Sequence, residues 1–71
     1  PNPEELGIDT GYHAADFAVG QRILVWWWNV WWWAKVHYVN KRGETITVRW
    51  EWSNKSTKRY PAKLCRPEHV V

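Results

Sequence analysis

Eight tryptophans, three tyrosines and one phenylalanine stand in a chain of 71 residues. Their chemistry is recognition. An indole face carries negative quadrupole density that attracts a cation, worth about 0.5–2 kcal/mol per contact. A methylated ammonium suits such faces because it holds its water weakly and desolvates cheaply. The inventory for a reaction is thin by comparison. His13, His37 and His69 are isolated, Ser53 and Ser56 share one lysine-containing turn, and neither Glu44 nor Glu51 has an acid–base partner. No glycine-rich phosphate loop and no metal-ligand spacing occurs, so neither cofactor nor metal is expected. Cys65, the single cysteine, excludes an intrachain disulfide and a cysteine-based zinc cluster. It reads as a buried small hydrophobe.

Strands must position these rings. Gln21 to Trp28 is rich in β-branched and aromatic residues and reads as a first strand, with a polar break at Asn29-Val30 and a return along Trp31 to Val39. A turn at Asn40–Glu44, with Gly43 available for positive φ, leads to a third strand over Thr45 to Trp52. After the polar turn Ser53–Thr57, a short strand at Lys58 to Pro61 and a last segment around Arg66 to Val70 complete the set. Five short strands in a meander predict an all-β fold, a small curled barrel. The first fifteen residues show no periodicity and read as a flexible tail or linker, so the expected domain is 16–71. The chain opens on Pro1 and is expected to be cut from a longer protein.

Alternation along strands sorts the side chains into two faces. Ile23, Val25 and Trp27 share one face of the first strand. Trp32, Ala34, Val36 and Tyr38 share one of the second, and Ile46, Val48, Trp50 and Trp52 one of the third. The charged alternates Lys35, Arg49 and Glu51 mark the opposite face as outer. Trp27, Trp32, Trp50 and Trp52 are therefore expected to gather at one end of the barrel, around an opening. The alternative is that the four rings plug that end as core. Trp26, Trp28, Trp31 and Trp33 fall on the outer parity. They would form a docking or stacking surface, unless the N-terminal segment covers them through Tyr12 and Phe17.

Charge is uneven. Residues 1–20 hold four acids and no Lys or Arg, whereas Lys41 to Arg66 holds eight cations against Glu44 and Glu51. A basic second half points to polyanions, with Lys41, Arg42, Lys55, Lys58 and Arg59 as nucleic-acid contacts. Such binding to DNA would be weak, non-specific and salt-sensitive. No apolar run is long enough to span a membrane as a helix, and a disulfide-free basic module fits a reducing compartment.

The series Val19-Gly20-Gln21-Arg22-Ile23-Leu24-Val25, Trp31-Trp32-Trp33-Ala34-Lys35-Val36, Val48-Arg49-Trp50 and Leu64-Cys65-Arg66-Pro67 resembles the Tudor and chromo-barrel domains of the Royal family of histone readers. The resemblance covers residues 17–70. It implies a five-stranded SH3-like barrel that binds methylated lysine on a histone tail through an aromatic cage. The implied setting is a larger chromatin-associated protein in the nucleus. The cage would fall on Trp27, Trp32 and Trp50, with Trp52 or Tyr60 as a further wall. Glu51 points outward by alternation, but a twist at the strand end would bring it to the cage, where a carboxylate favours a lower methyl state. Two departures stand against the family pattern: Glu51-Trp52-Ser53-Asn54 replaces an Asp-Gly-type turn after strand three, and only Tyr60 serves the segment that follows. The competing readings are a nucleic-acid-binding SH3-like barrel and a proline-rich-peptide binder.

Overall fold

The computed structural model describes residues 9–68. Five antiparallel strands form one sheet: β1 (Arg22–Trp27), β2 (Val30–Asn40), β3 (Thr45–Trp50), β4 (Ser56–Pro61) and β5 (Cys65–Pro67), in spatial order β4-β3-β2-β1-β5. Short 3-10 turns at Ala14–Asp16 and Ala62–Leu64 are the only helical pieces among the described residues. The Ala62–Leu64 turn carries the chain from the β4 edge to the β5 edge, curling the sheet into a small SH3-like barrel. The radius of gyration is 10.8 Å.

The expected alternation fills the barrel. Ile23, Val25, Ala34, Val36, Ile46 and Val48 are buried with Trp50, Tyr60, Leu64 and Cys65, and no polar residue is buried among them. Burial also pushes the Cys65 thiol up to about 12, so it stays protonated and packs as a small hydrophobe, as expected.

Two turns differ from expectation. The β1–β2 hairpin closes one residue early: Trp27 pairs with Val30, and Trp28 and Asn29 form a two-residue loop with φ of 51° and 60°. Positive φ at both central residues is the I′ pattern, whose twist matches that of the strands. In the β2–β3 turn, Glu44 takes the positive φ (56°) expected of Gly43. Gly43 is small for a different reason. Its N–H donates to Asn40 Oδ1 at 3.0 Å, and a Cβ there would stand 3.0 Å from Asn40 Nδ2.

Alternation fails once in β2, at a β-bulge. Val36 pairs with Val48 but Tyr38 with Thr47, leaving His37 as an extra residue. An inserted residue exchanges the faces of everything after it. Tyr38, expected inside, is 62% exposed, and Val39, expected outside, packs against the core.

The ordered domain also begins earlier than residue 16. Thr10 donates from its N–H to Lys63 O and from its hydroxyl to Cys65 O, each at 2.8 Å. Ala14 and Phe17 are buried in the core and Tyr12 packs against it. Residues 9–15 thus belong to the fold, while residues 1–8 of the expected tail lie outside the described residues. This segment closes the barrel end formed by Thr45 and Pro61, away from the tryptophans. It does not provide the cover considered for the outer rings.

An exposed latch ties the segment down. His13 Nδ1 lies 2.9 Å from Glu44 Oε2. That hydrogen bond, with the charge of Glu44, holds the His13 pKa above its usual 6.5. A raised folded-state pKa gives stabilisation that is complete below the unfolded value and lost as pH rises through the folded one. The stability difference between wild type and His13→Gln should therefore be present at about pH 6 and fade as the pH rises above about 6.5. Urea titrations across that range measure it, and an NMR titration placing His13 at or below the usual histidine value would refute the latch.

Candidate functional site

Five aromatic residues converge where β1 ends, β2 begins and β3 ends. Trp27 is brought there by the tight hairpin, and Trp32 by its place in β2 beside Val25. Trp50 comes from the last position of β3 and Tyr60 from β4. Trp52 lies beyond β3, in a loop braced by Trp50 N–H to Lys55 O (3.1 Å) and Ser53 N–H to Trp50 O (3.3 Å). The expectation that β3 reaches Trp52 fails, yet its ring lands on the cluster.

The rings have distinct stations. Trp50 is 5% exposed and Tyr60 8%, so these two make the floor. Tyr60 meets Trp50 edge-on at 6.0 Å, and its hydroxyl donates to Trp26 O. Trp50 Nε1 donates to Thr57 Oγ1 at 2.9 Å. Above the floor, Trp27 and Trp32 are half-buried and Trp52 is 56% exposed. Trp27 and Trp52 lie nearly parallel (16°), with Trp32 set across them at 64° and 54°. Trp32 is anchored by its Nε1 donating to Trp27 O at 2.8 Å. The centroids of these three rings lie 6.0, 5.7 and 6.5 Å apart. Spacings this short put the three rings in contact with one another, as one aromatic cluster.

Trp28, expected on the outer strand face, instead tops the turn, 55% exposed and edge-on to Trp27 at 5.6 Å. A bulky residue at positive φ is uncommon and marks strain. It adds a rim to the wall of rings. Its signal in the sequence is the Trp28-Asn29 pair taken as a two-residue turn, since Asn tolerates positive φ.

Glu51 does not twist toward the aromatic cluster. It sits on the outer face, where Arg22 Nε and Nη2 donate to its two carboxylate oxygens at 2.7 and 3.2 Å. Arg22 also reaches Glu68 at 3.2 Å. Its guanidinium lies 3.7 Å from the Trp33 ring centroid, and that of Arg66 lies 4.4 Å from the Trp31 centroid. Trp26 meets Trp31 at 5.2 Å. The outer tryptophans are thus covered in part by the protein's own arginines, a pairing that alternation alone does not reveal.

The expected nucleic-acid contacts separate. Lys58 and Arg59 share a groove with Tyr38, Lys41 and Arg42 lie in the β2–β3 turn, and Lys55 stands at the aromatic end. All five are exposed. Among the described residues no three His, Cys, Asp or Glu side chains gather as a metal site, and no helix is long and apolar enough to cross a membrane.

No family model matches this chain, and no curated protein or solved structure matches it.

Replacing Trp28 separates backbone strain from ring packing. Trp28→Gly relieves a left-handed residue, worth roughly 1 kcal/mol, and removes an aromatic edge worth about 0.5–1.5 kcal/mol. The net change in unfolding free energy should be within about 1 kcal/mol, measured by urea denaturation. A loss above ~3 kcal/mol would show that the turn depends on the indole.

Proposed function

We propose that the aromatic end of the barrel binds the methylated ammonium of a lysine side chain on a partner peptide, by binding alone and without catalysis. The observation that carries this reading is the corner of Trp27, Trp32 and Trp52 over a floor of Trp50. Several ring contacts of about 0.5–2 kcal/mol each supply micromolar affinity once peptide backbone contacts are added. A core plug made of the same rings would not need Trp52 more than half exposed, because leaving a large indole in water forfeits its burial.

The partner follows from the order of motifs that resembles Tudor and chromo-barrel domains. The ligand is then a histone tail, the module a chromatin reader, its compartment the nucleus and its parent a larger chromatin-associated protein. The methyl state follows from Glu51. On the outer face, held there by Arg22, it points away from the rings and offers no acceptor among them for an N–H of a lower methyl state. Recognition then rests on desolvation and ring contacts, which improve with each methyl group.

Titrating histone-tail peptides carrying unmodified, mono-, di- and trimethylated lysine should give affinity that rises with methylation. Trp27→Ala, Trp32→Ala and Trp52→Ala should each weaken trimethyl-peptide binding at least about tenfold, roughly 1.4 kcal/mol. Trp26→Ser and Trp33→Ser should leave it nearly unchanged. Trp50→Ala removes the floor and costs about 3–5 kcal/mol of stability, so the test rests on the other three. Amide shift perturbations that avoid Trp27, Trp32 and Trp52 would overturn the assignment.

A further inference from the structure

A concavity lies on the outer face of β2–β3–β4, and two β-bulges build it. In β2 the bulge leaves His37 unopposed and turns Tyr38 outward. In β4, Ile46 pairs with Tyr60 and Val48 with Thr57, so Lys58 and Arg59 together oppose Thr47. Arg59 takes a φ of 57° to do so. Both irregularities flank Thr47, and without them the three strands would present a regular pleated face here. Bulges often re-aim side chains next to functional sites. In this sheet they gather His37, Tyr38, Lys58 and Arg59 around an open groove of about 420 Å³, with Asn40, Thr45 and Thr47 completing its lining.

The lining has the exposed Tyr38 ring, the His37 imidazole, two cations, the Asn40 amide, two threonine hydroxyls and no acid. Among the described residues, neither Lys58 nor Arg59 makes a salt bridge; the acids near the sheet are engaged by His13 and Arg22. The cationic track continues past the groove. Lys35 and Arg49 are paired neighbours on the same outer face, and Lys41 and Arg42 follow Asn40 in the turn. We infer that this groove binds single-stranded nucleic acid, with a base stacked on Tyr38 and its phosphates on Lys58 and Arg59. A duplex keeps its base faces stacked internally and has none to give to Tyr38. An acidic peptide such as polyglutamate would meet the cations but has no flat π-face to lay on the ring. The volume lies within the range of small-molecule clefts and suits one nucleotide, while the flanking cations extend the site to a strand. The inference uses no residue of the aromatic cage and stands independently of it.

The test is fluorescence anisotropy of the whole chain with a labelled oligothymidylate of about fifteen nucleotides, the same-length duplex, and polyglutamate. The single strand should bind best. Tyr38→Ala should weaken it roughly tenfold and Tyr38→Phe should restore it, since stacking needs the ring and not the hydroxyl. Lys58→Gln with Arg59→Gln should flatten the slope of log affinity against log salt by about 1.4, or ~0.7 for each phosphate no longer neutralised. Trp27→Ala should leave oligonucleotide binding unchanged. Tyr38 is largely exposed, so its variants should fold, which a one-dimensional proton spectrum checks. Equal binding of duplex or polyglutamate, or indifference to Tyr38→Ala, would overturn the inference and reduce the surface to a plain cationic patch.

Discussion

The register of the β1–β2 hairpin governs this molecule. Trp26, Trp27, Trp28, Trp31, Trp32 and Trp33 all lie within it and Trp50 on the strand beside it, and strand alternation leaves each strand ring only two destinations. A slip of one residue would exchange them: Trp26, Trp31 and Trp33 would enter the barrel, and Trp27 and Trp32 would leave it. What prevents the slip is a two-residue turn with both residues at positive φ, a geometry that fixes which residues face each other across the loop. The small inward residues reinforce it. Ala34 and Val36 face Trp50 and Val48 across β2–β3, and no indole fits in their place without displacing the packed core.

Much of this is legible in the residues because alternation is a property of the backbone. The inward stripe Ile23, Val25, Trp27 and its counterparts follow from side-chain character and period alone, as does the meeting of Trp27, Trp32, Trp50 and Trp52 at one end. The departures share a cause: each depends on a local irregularity of the strands or on a partner distant in sequence. His37 carries no mark of a bulge, so simple alternation puts Tyr38 on the wrong face. Trp28 is a poor residue for a left-handed turn, so residue preference puts the break one position late. Arg22 finds Glu51 across 29 positions of sequence, and no local pattern signals that. The anchoring of residues 9–15 likewise rests on Thr10 meeting Cys65 O, an interaction made only once the barrel has closed.

Closing a small barrel at both ends is a burden for a domain of this size, and the two ends are closed by different means. At one, an N-terminal segment adds Ala14 and Phe17 to the buried cluster, with Tyr12 packed against it and its 3-10 turn lying on β2. At the other, indoles close over one another, with Trp50 and Tyr60 inside and Trp52 largely outside. The first is a plug held by Thr10, whose N–H and hydroxyl donate to Lys63 O and Cys65 O. The second leaves apolar ring area in water, a cost of about 25 cal/mol for each Å² left exposed.

The arginines sharpen the difference between the two tryptophan faces. On the outer face the rings already have cations: Arg22 over Trp33 and Arg66 over Trp31. Arg22 is further fixed by Glu51 and Glu68, so this cation is held in place and the Trp33 face is occupied. At the barrel end, Trp27, Trp32 and Trp52 meet one another and the rings of Trp28 and Trp50, mostly tilted or edge-on. Among the described residues the guanidinium–ring pairs fall on Trp33 and Trp31 and none on these three. The same side chain thus has two environments in one hairpin, paired with the protein's own guanidinium groups on one face and with other indoles on the other. The convergence of three indoles without a guanidinium above them is what favours the proposed cationic ligand at this end of the barrel.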